Sequence, residues 1–407
     1  MKKVRERIGK ITYQKVMAVL FLVFIFYIAA VMLPRTVDSA GTLYRDKSGI
    51  LEVRDTVDEE YREMLEFQGA LPKNKATYIN LNGLMARLMG QRYVNERVKL
   101  DNGHLSYLYE KTDFSLDVLQ MTKLSEKQKA RGKHFLFVIA PNQNPKNRDI
   151  LPAGYAEYSN QDADEMASRL RANGVSVLDL RDELINDGIS WEDAFFVADH
   201  HWKPETGFWA YAKIIKRFEE MGVIEPADPK LTDIGEYNQT VYEDWFVGSS
   251  GIRTGYLYSG LDDFTLITPK FKTDLTYSNV PDTVMKRGSF DNVALGGAVA
   301  QKDYFNYGPY SIYGNGDQAF KRYTNPDAGA DIKLLSIGDS FSNVPFAFLP
   351  LAISRCDELD MRYYDGDFAS YYAQYAPDAV LVLINAGTLS QENTHYDFFG
   401  DLGEQSK

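Results

Sequence analysis

The residues of this chain that could do chemistry fall into two short blocks far apart in sequence. The first is Asp199-His200-His201-Trp202, which holds two of the five histidines. An acid two residues before a histidine can accept from that ring's Nδ1–H and leave Nε2 as a general base. Such a base needs a nucleophile, and the second block, Gly338-Asp339-Ser340-Phe341, offers one. A serine in a tight turn between strand and helix presents its hydroxyl at the carboxyl end of a sheet. There the N–H groups of the turn can face a developing oxyanion. Each block also has a plainer reading. Asp and Ser are preferred helix N-caps, so Ser340 alone could be a cap. Asp199, His200 and His201 alone could belong to a metal site or a surface loop, although three contiguous residues rarely converge on one ion without ligands from elsewhere. Taken together, at the ends of two expected strands, the blocks favour a catalytic set of Ser340, His201 and Asp199.

The elements that must position these blocks can be read from periodicity. Residues 195–198 are apolar and read as a strand end. Pro204 suits the first turn of a helix, where its missing N–H needs no partner, and Trp209, Tyr211, Ile214, Ile215 and Phe218 continue that helix at its own spacing. Residues 334–337 read as a buried strand before the serine, and Val344, Phe346, Phe348, Leu349 and Ile353 as a helix after it. Elsewhere the pattern predicts helices over 116–131, 162–172 and 368–375, and strands over 134–140, 175–180, 361–364 and 379–385. The strand at 134–140 is too uniformly apolar for a sheet with one wet face. Strands alternating with helices imply an α/β fold with a mostly parallel sheet covered on both sides. Sites on such sheets collect at the carboxyl ends of the strands, where Asn142, Asp199, Ser340 and Asn385 all fall. Upstream lie a helix through Leu81, Leu84 and Leu88 and a hairpin over 93–100 with a turn at Asp101-Asn102-Gly103. Residues 224–330 break the rhythm. They are rich in Tyr, Gly, Asp and Asn, with alternating runs such as 256–266, and read as a β-rich insertion rather than an independent domain. There is no internal repeat and no phosphate- or dinucleotide-binding loop.

With 407 residues, 44% of them hydrophobic, the chain can bury one large core or two modest ones. Residues 1–15 carry Lys2, Lys3, Arg5, Arg7, Lys10 and Lys15 against Glu6 alone, a net +5. Residues 16–33 are uncharged and apolar, close to the ~20 residues that cross a bilayer as a helix. The expected layout is a basic cytoplasmic tail over 1–15, a transmembrane signal-anchor over 16–33, a stalk over 34–72 and an extracytoplasmic domain over 73–407. A cleaved signal peptide is the alternative, but its best cut, after Asp38-Ser39-Ala40, has an aspartate where a small residue is preferred. Removing the tail's +5 from the whole-chain −12 leaves −17 for residues 16–407. A surface of that sign draws in no polyanion, so nucleic acid is excluded as an expected partner. One cysteine, Cys356, allows no intrachain disulfide and reads as a packed core residue.

Asp199-His200-His201-Trp202, with Pro204 and Gly207 opening a helix, resembles the signature of the DHHW-motif proteins. It is also similar to the Asp-x-His-Trp motif of the alginate O-acetylation proteins, whose serine block Gly338-Asp339-Ser340-Phe341 matches. These are SGNH-hydrolase-like domains, three-layer α/β sandwiches with a permuted triad in which Asp and His precede Ser, as here. The resemblance runs from about residue 77 to the C-terminus, least securely over 224–330. It implies Ser340 as nucleophile, His201 as base and Asp199 as the orienting acid. Asn142 matches a Pro-Asn segment of that group, and Arg362 and Tyr363 an Arg-Tyr after the serine helix. His200 stands where the alginate relatives have a small polar residue. With Trp202 and Gly338, these four complete the candidates for contact with substrate or oxyanion. No metal or cofactor is implied. The implied reaction is acetyl transfer to a cell-surface or secreted polysaccharide or oligosaccharide, beside a multispanning membrane O-acyltransferase. A carbohydrate O-acetyl esterase with the same triad is the alternative, and a non-catalytic cell-envelope scaffold a further one. The usual SGNH order would instead place the base at His395, beside Asp397. That segment is polar and terminal, and its histidine precedes its acid, so His201 is the expected base.

Overall fold

The structure is a computed structural model that describes residues 19–23, 25–27, 75–281, 283–297, 299, 302–388 and 396–400. The chain divides into two compact units, Met1–Tyr78 and Ile79–Lys407. The tail over 1–15, most of the 16–33 run, the 34–72 stalk and His395 lie outside the described residues. No helix among the described residues is long and apolar enough to cross a membrane.

Helix α1 (Lys75–Leu88) precedes a small antiparallel sheet of β1 (Tyr93–Val94), β2 (Arg97–Lys99) and β3 (Leu105–Ser106). The expected hairpin is thus three-stranded. Asn95 and Glu96, both at positive φ, make its first turn, and residues 101–103 make the second. Then follow α2 (Ser115–Ala130), β4 (His134–Ala140), α3 (Ser159–Ala172), β5 (Val177–Asp179), α4 (Leu180–Asn186), α5 (Trp191–Ala194) and α6 (Pro204–Glu220). Residues 195–198 form no strand. Phe195 makes a single antiparallel bridge to Trp202, which folds the Asp-His-His block into a closed loop.

The stretch 224–330 holds a two-stranded ribbon of β6 (Tyr237–Phe246) and β7 (Asp262–Pro269), with α7 (Gly248–Thr254) and α8 (Tyr256–Ser259) between them. Part of the run expected to alternate as a strand is therefore α8. After β8 (Leu275–Ser278), β9 (Lys286–Gly288) and α9 (Phe290–Val293) come β10 (Phe320–Thr324) and β11 (Ala330–Gly338). Beyond Ser340 the helix is short. A 3-10 turn (Ser340–Ser342), α10 (Asn343–Phe348) and a second 3-10 turn (Leu349–Leu351) lead directly into β12 (Ile353–Leu359). Pro350 lacks the N–H a longer helix would need. Ile353 consequently belongs to a strand, and residues 361–363 form a turn rather than the expected strand. Helix α11 (Phe368–Tyr375) and β13 (Ala379–Asn385) follow.

The main sheet has the order β5-β4-β13-β11-β12-β10-β8-β9. It is parallel from β5 to β12 and antiparallel from there to β9. The stretch 224–330 is thus partly a continuation of the sheet rather than an appendage to it. Successive residues of a strand point to opposite faces, and both faces here are covered. Leu136, Val138, Leu381 and Leu383 pack with Phe208, Tyr211 and Ile214 of α6 and with Phe264, Tyr277 and Tyr313 of the insertion. Phe135, Phe137, Val380 and Val382 pack with Val118 and Met121 of α2, Met166 and Leu170 of α3, and Phe368 and Tyr372 of α11. This is a three-layer α/β sandwich, and Ser340 lies past the carboxyl end of a central parallel strand.

Candidate active site

Four separate elements fix the loop that carries Asp199 and His201. The N–H groups of Val197 and Ala198 both donate to the Asp262 carboxylate at the start of β7, each at 2.8 Å. Gln143, just after β4, donates to the carbonyls of Phe196 (2.8 Å) and Asp199 (2.6 Å). Leu105 N–H of β3 reaches the Val197 carbonyl, and Gly251 N–H of α7 the Ala198 carbonyl. A loop whose buried polar backbone is satisfied this fully has little freedom to rearrange. Burial pushes the Asp262 carboxyl up to about 6 against the two N–H groups it accepts.

Within the loop, Asp199 Oδ1 accepts from His201 Nδ1–H at 2.5 Å and from His201 N–H at 2.9 Å. Its Oδ2 accepts from Ser249 N–H at 2.5 Å. Burial alone would raise this carboxyl, but His201, His200 and these hydrogen bonds outweigh it and hold Asp199 far below the usual carboxylate range. An ionised carboxylate only accepts, so Nδ1 of His201 carries the proton and Nε2 is the basic nitrogen. That Nε2 lies 2.7 Å from Ser340 Oγ.

The serine turn is held as tightly. Asp339, not Ser340, is its N-cap, its Oδ1 accepting from Phe341 N–H at 2.9 Å. Asp339 Oδ2 accepts from Asn385 N–H and from Thr388 Oγ1–H, both at 2.9 Å, which ties the turn to the end of β13. Ser342 N–H donates to the Asp339 carbonyl. Among the described residues, the Ser340 N–H meets no acceptor. Beneath the turn Lys321 on β10 and Glu358 on β12, paired across the strands, form a buried ion pair of 2.5 Å. Lys321 Nζ also donates to Asn343 Oδ1 at 2.9 Å. Burial raises the Glu358 carboxyl, and Lys321 opposes it. The two halves of the site meet through Gly207 of α6. A Cβ there would lie 2.6 Å from the Val344 side chain of α10, so only glycine allows this approach.

The remaining sequence candidates divide. His200 stands beside the pair with about a quarter of its side chain exposed, and its Nδ1 meets Ser249 Oγ at 2.7 Å. Burial, reinforced by neighbouring His201, pushes it down to about 3, so it stays neutral. Gly338 is the last residue of β11, where a Cβ would meet Ser342 Oγ at 2.5 Å. Its role is to admit the turn. Trp202 has no exposed surface and donates through Nε1 to Tyr310 Oη at 3.1 Å, so it supports the site from behind. Asn142 is buried, donating to Ser159 Oγ and accepting from Asn144 N–H and Trp191 Nε1–H. Its polar atoms are occupied within the protein. Arg362 is held by both oxygens of Asp360 (2.9 and 2.6 Å) and by Asp317. Tyr363 is 54% exposed and rests beside Arg362. Ligand atoms of Asp199, His200 and His201 lie within 4.8 Å of one another. They could converge on an ion only by giving up the hydrogen bonds just described.

Sequence reading missed Ser249, Asp262, Gln143 and Tyr310. Tyr310 stacks on His201 with ring centroids 4.1 Å apart and planes 19° from parallel. Ser249, Asp262 and Tyr310 come from the 224–330 stretch, where no local motif marks them. Gln143 lay one residue beyond the asparagine that the Pro-Asn match singled out.

A family description, the SGNH hydrolase-like domain of the acetyltransferase AlgX, matches residues 112–236. No curated protein matches the chain in sequence. Among solved structures, Bacillus cereus PatB1 with sulfonyl adduct is similar at 19% identity and a TM-score of 0.59, covering 73% of this chain and 98% of that one. A DHHW family protein from Eubacterium siraeum is similar at 21% identity and a TM-score of 0.54, covering 74% and 94%. The chain thus carries an SGNH hydrolase-like α/β domain and resembles the DHHW-motif and alginate O-acetylation proteins, with its Asp-His block ahead of its serine in sequence.

Proposed function

We propose that this chain is a membrane-anchored, extracytoplasmic O-acetyltransferase acting on a cell-surface or secreted polysaccharide through Ser340, His201 and Asp199. The observation that carries the reading is the continuous hydrogen-bonded line from Asp199 Oδ1 through the His201 ring to Ser340 Oγ. The AlgX acetyltransferase domain match and the likeness to PatB1 support it from outside the geometry. Ser340 Oγ attacks the carbonyl carbon of an acetyl ester while its proton passes to His201 Nε2. The Ser340 N–H donates to the oxyanion that forms. As the donor's oxygen leaves, His201 returns the proton to it, and an acetyl-serine remains. A sugar hydroxyl then attacks, its proton passing to His201 and on to Ser340 Oγ as that C–O bond breaks. Water in place of the sugar would make the same site an esterase.

The anchor reading rests on the apolar run over 16–33 and the +5 flank before it. A multispanning O-acyltransferase is the proposed source of acetyl groups. The test is turnover of a chromogenic acetyl ester by the purified chain, with and without an oligosaccharide acceptor. Ser340→Ala and His201→Ala should each lower turnover by about 10³-fold or more, and the acceptor should gain acetyl groups. Full activity in a folded Ser340→Ala variant would remove the reading. Turnover that gives only free acetate would convert it to the esterase.

A further inference from the structure

The His201 ring is enclosed on its faces as well as tethered at its edges. Tyr310 lies over one face at 4.1 Å and 19°, close to parallel. His200 lies 3.8 Å away at 37°, and Phe341 5.1 Å away at 43°. Tyr310 is itself fixed. Its Oη accepts from Trp202 Nε1–H, and Phe196 meets its ring edge-on at 6.4 Å and 87°. Tyr310 is only 4% exposed and His201 9%, so water solvates these ring faces poorly.

We infer that Tyr310 is a positioning residue for acyl transfer, its π face stabilising the imidazolium that exists while His201 holds the Ser340 proton. The inference rests on His201 being the base proposed above. Asp199 neutralises the new charge only from the Nδ1 edge. A cation in a poorly hydrated site needs favourable contacts on its faces too, and a hydrocarbon wall supplies none. An aromatic face supplies its quadrupole, and in desolvated settings that contact changes equilibria by about tenfold or more. His200, on the neighbouring side, is neutral and does not oppose the charge. Tyr310 also gives the 224–330 insertion a part in the reaction. Through Ser249 that insertion orients Asp199, and through Tyr310 it supports the protonated base.

The experiment substitutes position 310 in the full chain and reads kcat and KM for acetyl-ester turnover. Tyr310→Phe keeps the face and should stay within about threefold in kcat, with its lost Trp202 contact felt in stability. Tyr310→Leu should lose about tenfold in kcat at little change in KM. Phenylalanines bearing one, two and three ring fluorines keep the shape but weaken the quadrupole stepwise. They should lower kcat in that order while melting temperature stays level. This series decides the matter even where the leucine variant fails to fold. A flat fluorine series overturns the inference, because a space-filling role predicts no trend. So does a leucine variant as active as phenylalanine. Ser340→Ala and His201→Ala run alongside. If they are inactive and the series is flat, only the role of Tyr310 falls; if they are active, the triad falls with it.

Discussion

The buried pair beneath the serine turn allows a quantitative test of how that turn is supported. Replacing Lys321 by methionine leaves Glu358 without its cation, in a place where both side chains are only 2% exposed. Removing one partner of a buried pair costs about 3–5 kcal/mol, because the other charge stays buried and uncompensated. At an m-value of about 3 kcal/mol per M urea, the midpoint should fall by about 1–1.7 M. Replacing both residues by methionine should recover most of that loss, since an apolar pair of similar volume carries no charge to desolvate. The deficit should also depend on pH in a definite direction. Burial already raises the Glu358 carboxyl while Lys321 opposes it, so loss of Lys321 raises it further. A carboxyl raised above its unfolded value of about 4.3 stabilises the fold below that pH, and this contribution is lost as pH rises through the folded value. The Lys321→Met deficit should therefore be smallest near pH 4 and grow toward neutrality. Urea melts of wild type, Lys321→Met and the double variant at pH 4.5 and 8 read all three effects. Equal deficits at both pH values, or a double variant no better than the single, would refute the reasoning.

Four further outcomes follow from the site. Gly207→Ala should cost about 1–3 kcal/mol by forcing α6 from α10, and adding Val344→Ala, which removes the atoms it strikes, should restore part of it in thermal melts. Asp262 is raised to about 6, so its charge costs stability as pH rises from about 4 to 7. The stability of wild type relative to Asp262→Asn should fall by roughly 3 kcal/mol across that window in calorimetry. Asp199→Asn should leave the fold in place and lower acetyl-ester turnover by about 10³–10⁴-fold, as expected when the base loses its tautomer. His395→Ala should leave turnover within about threefold, and loss comparable to His201→Ala would move the proposed base to the C-terminal segment.

Strands β4 and β13 were legible because a strand buried on both faces must be apolar without a break, and 135–140 and 379–384 are. Helix α6 was legible because Pro204 marks its first turn and one face alone is apolar. The two site blocks could be read because their chemistry needs acid, histidine and serine in fixed local order. Other features are held by contacts that leave no local pattern. Residues 195–198 look like a strand, but the N–H groups of Val197 and Ala198 go to Asp262, more than sixty positions away. Ile353 fits a helical spacing, yet it pairs with Ala330 on β11. Arg362 looked available for substrate because its spacing says nothing of Asp360 and Asp317 folding back on it.

The continuation of the sheet by β10, β8 and β9 limits how far this protein could be trimmed. Cutting 224–330 down to a short linker would remove β10, which pairs with β12 along five residues from Phe320 to Thr324. Strand β12 would then become a free edge, with unpaired N–H and C=O groups ready to accept a strand from another chain. Glu358 would lose Lys321 at the same stroke, leaving a buried charge on that open edge. A shortened chain should therefore self-associate on expression well before any question of its chemistry arises.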